Sequence, residues 1–305
     1  MPGLRGSIRA PRRALGSLPL RIDLHAHSTA SDGTTRPDEL VRRAAAQGLD
    51  VLAITDHDTT AGWTEAVDAL PAGLTLVRGA EISCRYVDEQ GGRVGVHLLA
   101  YLFDPVDPDF AAARDRLLAG RVTRAERMVQ LLQDGGQDIR WERVREIAHG
   151  TVGRPHVALA LMEAGAVGSI AEAFSPAWTG PGGPYYVGKE ELELTAAIRL
   201  VRGAGGVPVL AHPRTARAGR HLPDPVIAEM ARVGLAGLEV DHPDHRPDVR
   251  LQLRELAGRL DLLVTGSSDF HGDNKPLLQL GAETTSPGQY EMLVAAASGC
   301  PPVPG

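Results

Sequence analysis

The feature that most constrains the fold of this chain is an alternation between short apolar segments and longer segments with helical spacing. The short segments are rich in branched residues and are bounded by turn residues, which is typical of strands. We predict strands at residues 21–24, 50–55, 75–77, 94–102, 207–211, 237–240 and 262–265. Such alternation indicates an α/β domain with mainly parallel strands, in which ligands bind at the carboxyl ends of the strands.

The middle of the chain departs from this alternation. From about residue 108 to 146 and from 155 to about 174 the apolar spacing is helical, so we predict a helical insertion at 105–188, between two parts of the α/β domain at 21–104 and 189–285. Residues 1–20 carry four arginines, no acid and no sustained apolar run, and we expect a disordered leader rather than a secretion signal. Residues 286–305 are expected to form a C-terminal tail.

Composition limits the partners. The net charge is −6 although the leader is basic, so the body is acidic and we expect no binding to duplex nucleic acid. Aromatic residues make up only 4%, too few for extended base stacking. An anionic substrate stays possible because bound metal ions reverse the local field. We expect a cytoplasmic protein without a membrane partner, and the pattern predicts no particular oligomeric state.

Histidines and carboxylates recur at the ends of the predicted strands. A lone histidine after a strand is usually structural, but five of the six predicted parallel strand ends carry His, Asp or Glu, which favours one shared pocket. His25 and His27 alternate along an extended segment and so point the same way. The candidate metal ligands are His25, His27, Asp32, His57, Glu81, His97, His212, Asp269 and His271.

The number and type of these ligands predict the kind of centre. Nine ligands exceed the needs of one ion, so we expect two or three ions that share carboxylates, as in centres that hydrolyse phosphate esters. Imidazoles mixed with carboxylates suit manganese, zinc or iron. Manganese is our first expectation, with zinc, iron or magnesium as alternatives. Neither Cys84 nor Cys300 lies in the motifs, so a structural thiolate zinc site is not expected.

Taken in order, the motifs resemble those of a known family. They are His25-Ala26-His27, Ser31-Asp32-Gly33, Thr55-Asp56-His57-Asp58, Gly79-Ala80-Glu81, Ala211-His212-Pro213 and Ser268-Asp269-Phe270-His271. Each is weak alone, but in this order they resemble the PHP (polymerase and histidinol phosphatase) family. The resemblance implies an irregular (β/α)7 barrel with a trinuclear metal centre.

The resemblance also implies how the ligands divide among ions. One ion would be held by His25, His27, Glu81 and Asp269, a second by Asp32, His57 and His271, and a third by Glu81, His97 and His212. Many members have histidine where this chain has Asp32, which could weaken or alter the second site. Hydrolysis would then proceed through a metal-bridged hydroxide, without a covalent intermediate on the protein.

A narrower resemblance concerns Gly153-Arg154-Pro155-His156. It is similar to a subgroup that removes the 3′-phosphate from 3′,5′-bisphosphonucleotides and trims short RNA from its 5′ end. Arg154 and His156 match the substrate contacts of that subgroup, and His156 is also a candidate general acid. The alternative is a surface arginine and a histidine that caps the following helix. Alternative functions are a histidinol phosphate phosphatase, a polymerase-associated proofreading module and, from another class, a non-catalytic metal-binding regulator.

Several other polar residues receive structural interpretations. We expect Asp23 and Asp56 to orient imidazoles or to serve as turn residues. His149, His221, His242 and His245 are interpreted as surface or loop residues, with a place at the rim of the pocket as the alternative for Asp241-His242-Pro243, because it follows a strand. Arg121 and Arg124 are interpreted as part of a solvated helix face, with the substrate cleft as the alternative.

Overall fold

In a computed structural model of the chain, residues 19–88, 90–215 and 222–305 are described. The predicted leader, apart from its last two residues, lies outside these ranges, and so does His221. In the described residues no helix combines the length and the apolar character needed to cross a membrane.

The strands form one sheet that curls into a nearly closed barrel. The strands are β1 (Ile22–Asp23), β2 (Val51–Ile54), β3 (Thr75–Val87), β4 (Arg93–Tyr101), β5 (Leu192–Glu193), β6 (Val207–Ala211), β7 (Gly237–Asp241), β8 (Leu263–Gly266) and β9 (Val303–Pro304). The order around the barrel is β1-β2-β3-β4-β6-β7-β8, and β5 and β9 pair with β3. A parallel bridge between Ala26 and Phe270 joins the segments that follow β1 and β8. The predicted α/β barrel is thus confirmed.

The barrel is irregular because β4 runs against both of its neighbours, while the other ladders of the barrel are parallel in the described residues. Helices cover its outside and fill the stretch between β4 and β5. They are α1 (Pro37–Ala46), α2 (Trp63–Asp68), α3 (Pro108–Asp134), α4 (Trp141–Ala148), α5 (Arg154–Glu163), α6 (Ile170–Ala173), α7 (Leu194–Gly203), α8 (Asp224–Val233), α9 (Pro247–Arg259) and α10 (Pro287–Ala295). Pro37 begins α1, and Asp38 and Glu39 lie in its first turn, as its sequence predicts.

The third strand is longer than its sequence predicts. We expected it to end at Gly79-Ala80-Glu81, but β3 continues to Val87 because residues from Gly79 onward pair with the antiparallel strand β4. Ile82 and Cys84 then face an apolar cluster, and alternation places Glu81 on the opposite side of the strand. Glu81 therefore lies in the middle of β3, paired with Leu99 of β4, rather than at a strand end.

Two separate apolar regions flank the site. One packs helices such as α7 and α9 against the sheet and includes Phe110 and Leu117 from the start of α3. The other consists of the second half of α3 with α4, α5 and α6, and it includes Met128 and Leu161. Because this second cluster is distinct, we propose that residues 105–188 form the insertion, and we call them the helical segment.

Candidate metal centre

The structure brings the nine candidate ligands together at one end of the barrel. Most of them are buried, and the cavity at their centre has a volume of about 420 Å³. The candidate ligands that line it are His57, Glu81, His97, His212, Asp269 and His271. His25, His27 and Asp32 lie directly behind these, within 3.6 Å of at least one of them. Positions that are far apart in sequence thus share one pocket.

Glu81 lies at the centre of the cluster. Its Oε2 is 3.1–3.3 Å from nitrogens of three imidazoles, and its Oε1 is 2.7–3.0 Å from nitrogens of two others; these are His25, His27 and His57, and His97 and His212. Burial alone would raise the pKa of Glu81, but the surrounding imidazoles, His97 first, hold it well below its ordinary value. An ionised carboxylate whose two oxygens face different sets of imidazoles has the geometry of a bridge between two cations.

Three groups of side chains have donor atoms within 4.8 Å of one another. They are His27, Asp32, His57 and His271; His25, His27 and Glu81; and His57, Glu81 and His97. The first group contains the whole set that the resemblance assigns to the second ion. The other two each differ from the expected sets, because Asp269 is missing from one and His57 replaces His212 in the other.

The two side chains outside these groups lie at their borders. Asp269 Oδ1 is 3.5 Å from His25 Nε2 and 3.6 Å from His27 Nε2. His212 Nε2 is 3.0 Å from Glu81 Oε1. Both therefore adjoin the groups to which the resemblance assigns them.

The chemistry of these groups fits bound cations. His57 Nδ1 is buried 3.1 Å from Glu81 Oε2, but it makes no hydrogen bond in the described part of the chain. Burial lowers the pKa of His57 well below its ordinary value, that of His97 to about 4 and that of His271 to about 3. These imidazoles are neutral at neutral pH and offer lone pairs, as metal ligands must. His25 Nε2 and His27 Nε2 are only 3.0 Å apart, an arrangement that a shared cation stabilises.

Glu239 is an important residue that sequence reasoning missed. It is fully buried in β7, and its Oε1 accepts a hydrogen bond of 2.9 Å from His25 Nδ1. Its Oε2 accepts the backbone N–H of His212 at 2.8 Å. Burial would raise the pKa of Glu239, but His25 holds it at about 2. The ionised carboxylate fixes the tautomer of His25 with Nε2 towards the centre. An acidic residue inside an otherwise apolar strand was the sequence signal that could have identified Glu239.

Asp23 and Asp56 do not orient imidazoles directly. Asp23 accepts hydrogen bonds from the backbone N–H and the hydroxyl of Ser268, at 3.0 and 2.6 Å. Asp56 accepts the hydroxyls of Ser28 and Ser31, both at 2.6 Å. The first contact ties the end of β1 to the segment after β8, so these acids fix the loops that carry the ligands.

His242 and His245 lie in the loop after β7, one of the two places expected for them, but not at the surface. Both are buried, and His242 also lines the cavity. His242 Nε2 lies 3.3 Å from Asp269 Oδ2, and His245 Nδ1 donates to the carbonyl of Val240 at 2.9 Å. His242 thus supports a candidate ligand. The position of Asp241-His242-Pro243 directly after a strand was the sequence signal. His149 is exposed, as expected.

The interpretation of Arg121 and Arg124 as a solvated helix face is wrong. The side chain of Arg121 is 18% exposed, and its Nε donates to Asp58 Oδ2 at 2.6 Å. Burial, together with the neighbouring Arg154 and Arg121, lowers the pKa of Arg124 to about 10. Arg121 therefore connects the helical segment to the barrel, because Asp58 directly follows the candidate ligand His57.

Arg154 and His156 lie at the start of α5. Arg154 lines the 420 Å³ cavity, and its guanidinium carbon is 3.9 Å from the ring centre of Phe174. His156 is 4% exposed, and its Nδ1 accepts the backbone N–H of Gly153 at 2.9 Å. The capping role considered for His156 is therefore present. Its other ring nitrogen carries the proton in the neutral form.

Two lysines that sequence reasoning also missed complete the surroundings. Lys275 contacts Asp269 Oδ2 and lines the cavity. Lys189 Nζ lies 3.3 Å from His97 Nε2 and 3.2 Å from Glu191 Oε1. No motif contains either lysine. Together with the arginines they place positive charge around a pocket of imidazoles and carboxylates, which suits an anionic ligand such as a phosphate ester.

Comparison with known proteins agrees with this geometry. Residues 23–174 match the PHP domain family. A 5′-3′ exoribonuclease of Haemophilus influenzae is 35% identical over 252 residues, covering 82% of this chain and 90% of the relative. A 3′,5′-nucleoside bisphosphate phosphatase of Chromobacterium violaceum is 35% identical over 257 residues, covering 82% and 87%.

A crystal structure from Bifidobacterium adolescentis, assigned as a metal-dependent phosphoesterase, superposes with a TM-score of 0.83 at 38% identity. The alignment covers 92% of this chain and 98% of that one. Identity at this level, over nearly complete chains, shows common descent as well as a common fold. The chain therefore belongs to the PHP domain family and is a metal-dependent hydrolase of phosphoester bonds.

Proposed function

We propose that this enzyme acts on nucleotides that carry two phosphates. The reaction would be removal of the 3′-phosphate from 3′,5′-bisphosphonucleotides, trimming of short RNA from the 5′ end, or both. The observation that carries this proposal is that Arg154 lines the same cavity as six of the candidate ligands. The relatives named as a bisphosphate phosphatase and as an exoribonuclease support the same substrate class.

The metal centre is part of the proposal. Two or three divalent ions, manganese first, would be held by the nine candidate ligands named above. When bound, such ions supply an activated water and neutralise charge on the phosphate oxygens. Other residues of the chain would position these ligands: Glu239 orients His25 through its Nδ1, and His242 lies next to Asp269.

Arg154 is proposed to bind the phosphate that is not cleaved. A guanidinium offers two parallel N–H donors to a phosphate, which an ammonium does not. Its packing on the ring of Phe174 at 3.9 Å limits its motion, so less entropy is lost when the phosphate binds. The positive charge of Arg154 thus favours substrates with a second phosphate over simple monoesters.

His156 is proposed to contact a phosphate through its Nε2–H. Burial lowers its pKa, so the ring is neutral at neutral pH and its Nδ1 already accepts the N–H of Gly153. A neutral ring with Nε2–H is a hydrogen-bond donor, and this favours substrate binding by His156 over transfer of a proton to the leaving group.

A substrate screen tests the proposal. The manganese-loaded protein would be assayed with adenosine 3′,5′-bisphosphate, histidinol phosphate and a 5′-phosphorylated short RNA. We expect kcat/KM to be highest for the bisphosphate or the RNA, because only these offer a second phosphate to Arg154. A higher kcat/KM for histidinol phosphate would contradict the proposal and favour the small-molecule alternative. The non-catalytic alternative loses its support because the chain is a hydrolase of this family.

A further inference from the structure

A second, larger cavity lies beside the metal centre, and the roles proposed so far do not use it. Its volume is about 790 Å³. At one end it is lined by the candidate ligands Asp32 and His271. Its apolar walls come from the helical segment and from the loop after β8, with Pro155, Ile170 and Phe174 on one side and Pro276, Leu277 and Leu278 on the other.

The two cavities adjoin each other. Phe174, Asp244, His271 and Lys275 line both of them. A ligand bound at the candidate ligands therefore lies next to the second cavity. Since Arg154 stacks on Phe174, the same aromatic ring also adjoins the proposed site for the second phosphate.

The chemistry of the second cavity is unlike that of the first. The first is surrounded by imidazoles, carboxylates and cations, whereas most residues that line the second are apolar, and its polar lining residues are Asp32, Asp244, His271, Asn274 and Lys275. Leu277 is 93% exposed at its edge, so among the described residues its apolar side chain is left almost uncovered. A flat, uncharged ring attached to a phosphorylated sugar would cover these side chains while its phosphates stay in the polar cavity.

We propose that the second cavity binds the nucleobase of the bisphosphonucleotide, with Phe174 as a stacking surface and Leu277 at the outer edge. This inference rests on the proposed function and adds the part of the substrate that it leaves open. The volume lies within the range of small-molecule pockets, roughly 300–1,000 Å³. Stacking on an aromatic side chain tolerates every base, so the site would select for a base without strong preference among bases.

The test compares substrates with and without a base. Adenosine 3′,5′-bisphosphate and ribose 3,5-bisphosphate carry the same two phosphates. Phe174→Leu keeps apolar bulk next to Arg154 but removes the π face. We expect kcat/KM to fall on both substrates, because Phe174 packs on Arg154, and to fall about five- to fiftyfold further for the adenosine substrate, which alone loses base stacking.

Leu277→Ser provides a second variant that does not threaten the fold, because the side chain is almost fully exposed. We expect a fall of about two- to fivefold for the adenosine substrate only. Leu251→Ser is the matched control, since Leu251 is a 60% exposed leucine on α9 that lines neither cavity. Leu251→Ser should leave kcat/KM unchanged for both the adenosine and the ribose substrate.

The outcomes separate this inference from the function on which it rests. Equal losses on both substrates would mean that Phe174 acts only through Arg154, and would overturn the base site. Losses confined to RNA of two or more nucleotides would place the next nucleotide in the cavity, and would overturn it as well. If the unmodified protein hydrolyses neither bisphosphate, the proposed function fails first. If it hydrolyses both, and the variants keep the wild-type ratio of kcat/KM for the adenosine substrate to kcat/KM for the ribose substrate, the base site alone is wrong.

Discussion

The barrel and the helical segment contribute to the same pocket in different ways. The barrel supplies buried lone-pair donors held by a dense network, as when His25 is fixed between Glu239 at 2.9 Å and Glu81 at 3.3 Å. The helical segment supplies cations on long side chains, such as Arg154, whose Nη1 lies 3.5 Å from the carbonyl of Thr179. The two regions have separate apolar cores, and we propose that the barrel supplies the chemistry and the helical segment the selectivity among substrates.

This difference predicts separable defects. Changes in the barrel should lower metal occupancy and abolish turnover on every substrate. Changes in the helical segment should leave the metal in place and alter the choice among substrates. Each prediction below tests one side of this comparison or the contact between the two regions.

Removing the metal should have the largest effect. A chelator should abolish activity on all substrates, because the ions supply the activated water and the charge neutralisation. The fold should persist, since the clusters around the barrel are apolar and do not depend on the ions. Elemental analysis after loading with manganese, zinc or iron should find more than one ion per chain. A count of one or fewer would contradict the multinuclear centre.

Glu81→Gln should have the next largest effect. Glutamine keeps the shape of the side chain but removes the charge that faces five imidazoles. Loss of a residue that only supports a ligand costs about 10- to 100-fold, so we expect turnover to fall by more than about a hundredfold. Metal content should drop by more than one ion while the circular dichroism spectrum stays native. Near-native rates would remove Glu81 from the centre.

The sequence allowed much of the barrel side to be predicted. His25, His27 and His212 are polar residues at the ends of apolar strands, and the order of the motifs adds specificity that no single motif has. The extent of β3 could not be predicted in the same way, because its second half is stabilised by pairing with β4, and polar residues such as Ser83 interrupt its apolar pattern.

The helical segment was predicted as helical, and substrate contacts were predicted for Arg154 and His156, but the ion pair of Arg121 was not predicted. An arginine that recurs at helical spacing has the same local pattern whether it faces water or a buried acid. The role of Arg121 depends on Asp58, which is 63 positions away in the chain. Glu239 was missed for a similar reason, because its role depends on His25, which tertiary folding brings next to it. The contact of His242 with Asp269 was not predicted either.

Arg121→Met tests the contact between the two regions. The variant leaves the carboxylate of Asp58, which is 0% exposed, without its ion-pair partner. Breaking a buried pair costs about 3–5 kcal/mol. The backbone N–H and hydroxyl of Ser83 still satisfy Asp58, so we expect about 3 kcal/mol in the free energy of unfolding, measured by urea titration.

The double variant Asp58→Asn/Arg121→Met should recover most of this loss, because no charge is then left buried and unpaired. Arg127→Ala is the matched control, as Arg127 is an exposed arginine of the same helix, α3. If Arg121→Met is as stable as this control, the two regions are not coupled through Asp58.

Arg154→Ala should have the smallest and most selective effect. A charged hydrogen bond contributes about 1.5–3 kcal/mol, and each ~1.4 kcal/mol is tenfold in rate. We therefore expect kcat/KM on adenosine 3′,5′-bisphosphate to fall by about ten- to a hundredfold, with little change on p-nitrophenyl phosphate, which lacks a second phosphate. Arg154→Lys should recover only part of the loss, because an ammonium lacks the planar pair of donors. Metal content should equal that of the wild type in both variants. Equal losses on the two substrates would place Arg154 at the phosphate that is cleaved, and selectivity would then no longer belong to the helical segment alone.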